Sequence, residues 1–371
     1  MYKNHSVVRI LTFHQSLNFG AILQAYALQE TIKGLGYDVK ILDYNSPRKA
    51  FEYTWKFSRS KSWKRNIHDF LSVRFYRKRS KYSKNFIKHF LIMSDKCYTE
   101  SNLQKVNQEN VRFICGSDQV WNVYNTKADW NYFLTFVKQS KDRIAYGASI
   151  GVTEIEDPYR ERFVSEVRKF AHVSVRGKQE AAVIKEYCGI DSQIVLDPTL
   201  LLEKSDWEKM ESQWKHPGKY IFLYTLGWKK EALLKVKEIA AQVNLPVIVP
   251  VFDLMSYLTG IRYGFRGIIF SPQDFLAAVH HAEYVFTDAY HGIVFSTIYR
   301  KTFWVLPKKE RHNTACRIED YLEMISLSGQ KMEMENQFKY QQKINFQVVE
   351  EILNREKEHS ILYLKNSLCE N

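Results

Sequence analysis

Cysteine is scarce and scattered. Cys97, Cys115, Cys188, Cys316 and Cys369 are the five in 371 residues, and none forms a CxxC pair. That usage suits reduced cytosolic thiols better than a disulfide framework or a zinc site. No run of about 18 or more apolar residues occurs, so no membrane-spanning helix is expected. Residues 1–5 lead directly into an apolar stretch at 7–13, with no leader and small-residue cleavage site, so a cytoplasmic location is expected rather than secretion. The G-x-G-x-x-G fingerprint is missing after that stretch, which argues against NAD or FAD. No residues stand at metal-ligand spacing, and neither a cofactor nor a metal is expected. Internal repeats and low-complexity tracts are absent.

What is present is a chain long enough for two α/β domains of roughly 150 to 200 residues each. Its apolar share of 45% is that of a globular protein. Charge is unevenly spread. Nearly all of the net +13 comes from residues 47–96, where fifteen Lys or Arg meet three acids (Glu52, Asp69 and Asp95) for a net of +12. Aromatic residues, among them Phe51, Trp55, Trp63, Phe70, Phe75, Tyr82, Phe86 and Phe90, interleave with these cations along a mostly helical pattern. A segment lying on anionic lipid has this character, and so does a single-strand nucleic-acid contact. A solvated helical excursion whose aromatics pack on the domain has it equally.

Strand-like and helix-like patterns alternate as in doubly wound sheets. Strands are expected at residues 7–13, 39–43, 113–115, 143–146, 172–175 and 193–196, with helices at 21–33 and 178–188. A second set has strands at 219–224, 247–249, 268–270, 284–286 and 303–306, with helices at 229–243 and 272–281. The expected organisation is an N-terminal Rossmann-like domain over 1–203 that carries the basic excursion. A polar, Trp-rich linker at 204–217 follows, then a second Rossmann-like domain over 218–340 and a helical stretch at 341–371 long enough to pack across both.

In open α/β sheets ligands sit outside the carboxyl ends of strands, so four turns that follow strands carry the candidate chemistry. In residues 12–21, Gly20 allows close approach of a ligand or of the sheet, while Asn18 suits a helix cap. Residues 115–122 offer Asp118 as an acceptor for a sugar hydroxyl and Trp121 as a stacking ring. A cap with a buried Trp anchor fits the same residues. Arg176, after Ser174 and Val175, has the fork geometry for a carboxylate or phosphate, or for a surface salt bridge. The fourth turn, within residues 284–296, reads as strand, polar turn and apolar helix, with Asp288 and His291 close together and Gly292 permitting a tight turn into the helix. A helix N-terminus there is an anion site with a titratable imidazole beside it; a purely structural pair fits too.

Six ordered stretches carry a resemblance. They are Asn18-Phe19-Gly20-Ala21, Gly116-Ser117-Asp118-Gln119-Val120-Trp121-Asn122, Ser174-Val175-Arg176, Leu196-Asp197-Pro198-Thr199, Thr287-Asp288-Ala289-Tyr290-His291-Gly292, and Asn313-Thr314 with Arg317-Ile318. Through them the sequence resembles the polysaccharide pyruvyl transferases along most of its length. Two departures stand out: Gly177 where an acidic residue commonly follows the arginine, and Ala289 where serine is common.

The resemblance implies a fold similar to the GT-B glycosyltransferases, two Rossmann-like domains facing a crevice. It implies phosphoenolpyruvate as donor, a sugar hydroxyl pair as acceptor, and a pyruvate ketal plus phosphate as products. His291 would contact the donor phosphate or act as general acid, and Arg176 would grip the donor's carboxylate or phosphate. The helix terminus at Gly292 would add N–H donors. Asn18, Gly20, Asp118 and Arg317 would orient the substrates, with Asp288 holding the turn or the imidazole. The expected acceptor is a polysaccharide or lipid-linked saccharide, and the basic segment would hold the enzyme at the inner face of an anionic membrane. Alternatives are a nucleotide-sugar glycosyltransferase of the same shape, a family branch with another acceptor, and a non-catalytic membrane or nucleic-acid binder. The leading reading expects no nucleic acid.

Overall fold

Strands that are apolar on both faces need helices on both sides, and the chain builds two sheets of that kind. The computed structural model describes residues 7–48, 63–107, 110–216, 218–307, 315–334, 340 and 342–369, with side chains from 70 and from 317 onward in the second and fifth stretches. The first sheet contains β1 (Val7–Leu11), β2 (Asp38–Tyr44), β3 (Met93–Tyr98), β4 (Val111–Asp118), β5 (Arg143–Ala148), β6 (His172–Val175) and β7 (Gln193–Ile194). Its order is β3-β2-β1-β4-β5-β6-β7, every pair parallel. The second contains β8 (Ile221–Tyr224), β9 (Val247–Pro250), β10 (Arg266–Ile268), β11 (Tyr284–Thr287) and β12 (Phe303–Val305) in the order β10-β9-β8-β11-β12, also parallel. The doubly wound, two-sheet α/β architecture read from the sequence is the one observed.

In each sheet the strand order reverses once, between β1 and β4 and between β8 and β11. At such switch points the connections leave on opposite faces and open a crevice outside the carboxyl ends. The turns after these four strands are therefore the ones that meet. Apolar packing holds the two halves together. Phe19, first residue of the helix Phe19–Gly34, stacks on Phe275 at 4.9 Å and leans on Tyr224 and Phe252. The terminal helix Phe346–Cys369 bridges as well: the Tyr363 hydroxyl donates to the Ala145 carbonyl at 2.8 Å, while Glu350 pairs with Arg300.

Several elements differ from the sequence reading. Residues 204–210, read as linker, form the helix Lys204–Met210, opened by a reciprocal cap between Glu203 and Asp206. Its polar composition hides two buried positions three apart, Trp207 and Met210, and Trp207 sits between Tyr26 and Phe295. β10 lies two residues earlier than expected. β3 and the helices Tyr159–Val167, Leu254–Tyr263 and Ala315–Met324 were not read from the pattern. The basic excursion becomes one long helix, Trp63–Phe90. Phe75 and Phe86 of that helix are buried, as packing on the domain requires, whereas Phe70 is 69% exposed. Phe51, Tyr53, Trp55 and Phe57 lie outside the described residues. No described helix is long and apolar enough to cross a membrane.

Candidate active site

The turns at the two switch points enclose a cleft of about 440 Å³. From the first sheet's side come Asn18 after β1 and Asp118 at the end of β4; from the second come Tyr290 and His291 after β11, and Arg317 from the helix Ala315–Met324. Arg79 of the basic helix joins them.

Asn18 caps its helix, its Oδ1 accepting from the Gly20 N–H at 2.9 Å. That cap points the helix N-terminus at the second sheet, and Gly20 decides how close it comes. A Cβ on Gly20 would collide with the His291 imidazole, so glycine is required where the two halves touch. His291 lies in the first turn of the helix Tyr290–Ile298. Gly292 serves packing, since a side chain there would run into Thr287 and Tyr224.

A row of alternating charge runs behind and beside the imidazole. His291 Nε2 is 3.3 Å from Asp197 Oδ2, a charge contact outside aligned hydrogen-bond geometry. Asp197 is fully buried, pairs with Arg176, and accepts from the Thr199 N–H and hydroxyl at 3.0 and 2.7 Å. Arg176 Nη2 lies 3.5 Å from Asp118 Oδ1, which also faces Arg317 Nη1 at 3.8 Å. Both guanidinium groups stack over the Tyr290 ring, at 5.3 and 5.6 Å from its centre. Burial alone would raise the Asp197 carboxyl, but His291, then Arg176 and Thr199, outweigh it and hold it well below the usual carboxylate range. Asp118 is lowered in the same way, burial being outweighed by Arg176, Arg317 and His291. The Arg317 guanidinium is pushed down by burial and by the like charge of Arg176.

Within this row several polar atoms are buried without a hydrogen-bond partner, Nε and Nη2 of Arg176, Nε of Arg317 and Nε2 of His291, and so is Nε of Arg79 nearby. Two guanidiniums, those of Arg79 and Arg317, line the cleft against one carboxylate, so its wall carries an excess of positive charge. Among the described residues lining it, Asp118 is the one carboxylate, and it is flanked by cations, a setting that favours an anion over a metal.

The sequence model of the polysaccharide pyruvyl transferase family matches residues 18–307, a span that runs from Asn18 past the histidine turn. The chain belongs to the polysaccharide pyruvyl transferase family. No curated protein matches it. Among solved structures, Arabidopsis thaliana UGT89C1 is 9% identical over 99% of this chain and 100% of that one, with a TM-score of 0.52. The E. coli ADP-heptose lps heptosyltransferase II is 8% identical over 95% and 99%, TM-score 0.41. UDP-GlcNAc 2-epimerase from Methanocaldococcus jannaschii is 10% identical over 94% and 91%, TM-score 0.46. At such identities the likeness concerns the fold alone, and the first of the three supports a GT-B-like arrangement.

For this member of the pyruvyl transferase family, the structure brings Asn18, Gly20, Asp118, Arg176, His291 and Arg317 to one place. It sets other expected residues apart. Asp288 does not face the imidazole: it accepts from the Thr225 hydroxyl at 2.8 Å and from the N–H groups of Leu226 and Gly227 at 2.7 and 2.8 Å, fixing the turn after β8. Trp121 is no sugar platform. It is fully buried and stacked on Phe133 at 5.6 Å, because its ring completes the core beneath the turn. Arg176 is 2% exposed and stands behind Asp118 rather than in the cleft wall. Asn313 and Thr314 lie outside the described residues.

Three residues had no assigned role. Asp197 stood inside a quoted stretch, but nothing in the sequence tied it to His291. Arg79 was one cation among many. Asp320 fills the space a Gly177 side chain would need and accepts from the Gln179 N–H at 3.2 Å. A carboxylate therefore sits beside Gly177, supplied by a different helix.

Proposed function

We propose that the chain transfers the enolpyruvyl group of phosphoenolpyruvate to a pair of hydroxyls on a saccharide, forming a pyruvate ketal in cell-surface polysaccharide biosynthesis. The observation that carries this reading is the placement of the cations Arg79 and Arg317 beside His291 in the lining of one cleft, in a member of this family. A small donor with a carboxylate and a phosphate supplies the negative charge that such a cation-lined cleft matches.

The reaction adds one hydroxyl oxygen to the donor's central carbon while a proton goes to its methylene carbon. The second hydroxyl then displaces phosphate, and each hydroxyl gives up its proton. His291 delivers the first proton, with Asp197 as counter-charge for the protonated imidazole. Arg317 and Arg79 hold the anionic donor and stabilise the leaving phosphate. Arg176, screened from the cleft, acts as a positioning residue that fixes Asp197 and Asp118. Asp118 and Asn18 face the acceptor from the opposite wall. Residues 1–203 and 218–340 would be the two working domains, closed over the substrates. The exposed part of the basic helix would attract an anionic membrane carrying a lipid-linked acceptor.

The test is incubation with phosphoenolpyruvate and a panel of synthetic and lipid-linked glycosides. Phosphate release together with the mass gain of a ketal supports the proposal. Turnover of a nucleotide sugar with phosphoenolpyruvate untouched overturns it in favour of a glycosyltransferase.

A further inference from the structure

A second polar cluster lies at the other end of the helix that presents His291. Glu211 caps the helix Lys204–Met210, where the chain crosses from the first sheet to the second. His280 ends the helix Pro272–His280 and His281 caps it. Tyr299 caps the helix Tyr290–Ile298 and stacks on His280 at 4.5 Å. The Glu211 carboxylate reaches His280 Nδ1 at 2.8 Å with Oε1 and His281 Nε2 at 3.4 Å with Oε2. One ligand atom from each of the three lies within 4.8 Å of the others.

We propose that Glu211, His280 and His281 bind a divalent transition-metal ion, with zinc as the best match, and that the ion staples the inter-sheet crossover to the far end of the catalytic helix. Zinc bonds of about 2.0–2.1 Å place tetrahedral ligand atoms roughly 3.3 Å apart, close to the spacing already present. Two imidazoles and a carboxylate are also a donor set suited to zinc, leaving one position for water. Behind His280, the Glu208 carboxylate lies 3.6 Å from Nε2 and orients the ring, while Nδ1 faces the Glu211 carboxylate, and an ion would take the place of the hydrogen bond between them. His216 stacks on His281 at 5.1 Å. Lys301 also lies within electrostatic reach of His281 and opposes a cation there.

The ion does not enter the transfer chemistry. The helix between the two sites has nine residues, about 13 Å of rise, so the metal acts on His291 only through the helix it anchors.

The full-length chain, freed of any affinity tag and stripped with a chelator, is dialysed against zinc buffered at low micromolar concentration. One zinc per chain by elemental analysis and a raised Tm are expected, and cobalt in its place should give the visible absorption of a tetrahedral site. His281→Gln, on an exposed side chain, and Glu211→Gln should each weaken binding by about tenfold or more. His291→Asn should bind metal as the wild type does. Absence of bound zinc in the wild-type chain, or equal binding by a His280→Gln/His281→Gln double variant, overturns the proposal whatever the transferase assay shows.

Discussion

At the scale of single residues, the contact between Gly20 and His291 is the sharpest feature of the site. Gly20→Ala should cost activity as severely as a direct change of the imidazole, because the added methyl occupies the position of the ring. Gly34, at the other end of the same helix, has nothing within 4 Å of an added Cβ. Gly34→Ala should leave activity unchanged and raise stability by about 0.4–1 kcal/mol. Paired kinetics and urea melts of the two variants check both. His291→Ala is expected to lower kcat by about two orders of magnitude, near 3 kcal/mol, with the fold intact by circular dichroism. Wild-type turnover would remove it from the chemistry. The histidine was legible in the sequence because it stood in an ordered motif. Its partner was not: Asp197 is ninety-four positions away, and the nearer carboxylate, Asp288, turned out to hold a neighbouring turn.

At the scale of elements, the basic helix Trp63–Phe90 does more than carry charge. Arg79 donates to the carbonyl of Leu17 at 2.8 Å and of Phe252 at 3.1 Å, and its guanidinium stacks 4.9 Å above the Phe252 ring. It therefore ties the turn after β1 to the loop after β9 and still lines the cleft. Arg79→Met should lower Tm, since charge-assisted hydrogen bonds contribute about 1.5–3 kcal/mol each. It should also raise KM for the anionic donor about tenfold while changing kcat less. A variant with normal KM and a lowered Tm would leave Arg79 a purely structural tie. The run of Lys and Arg was plain in the sequence, yet which cation turned inward was not, because a periodic pattern does not show what covers a face. The same reason hid the helix Lys204–Met210, whose Trp207 packs on Tyr26 and Phe295 of other elements.

At the scale of the molecule, the site exists only while both halves are closed on each other. Phe19→Ala, which empties the stack on Phe275, should destabilise the chain by about 3–5 kcal/mol in denaturant melts. The buried charges predict the pH response. Asp197 and Asp118 titrate below the ordinary carboxylate value when folded, so between that value and their folded ones the native chain binds fewer protons than the unfolded chain. Their stabilisation is complete above about pH 4 and is lost as pH falls through the folded values. Asp197→Asn should be less stable at neutral pH and show a shallower loss below about pH 4. A slope equal to that of the wild type would show that Asp197 is not the group being titrated.

By itself the sequence determined the alternation of parallel strands and helices, the turns that follow the switch-point strands, and membership in a family with six ordered motifs. These are properties of neighbouring residues, where period, turn chemistry and spacing act locally. Tertiary structure alone decided that Asp197 rather than Asp288 faces His291, that Arg176 stands behind the wall while Arg79 and Arg317 reach the cleft, and that Glu211 meets His280 and His281. Each of those pairings joins residues distant in the chain across the surface between two sheets, and their separation in sequence carries no trace of the docking that brings them together.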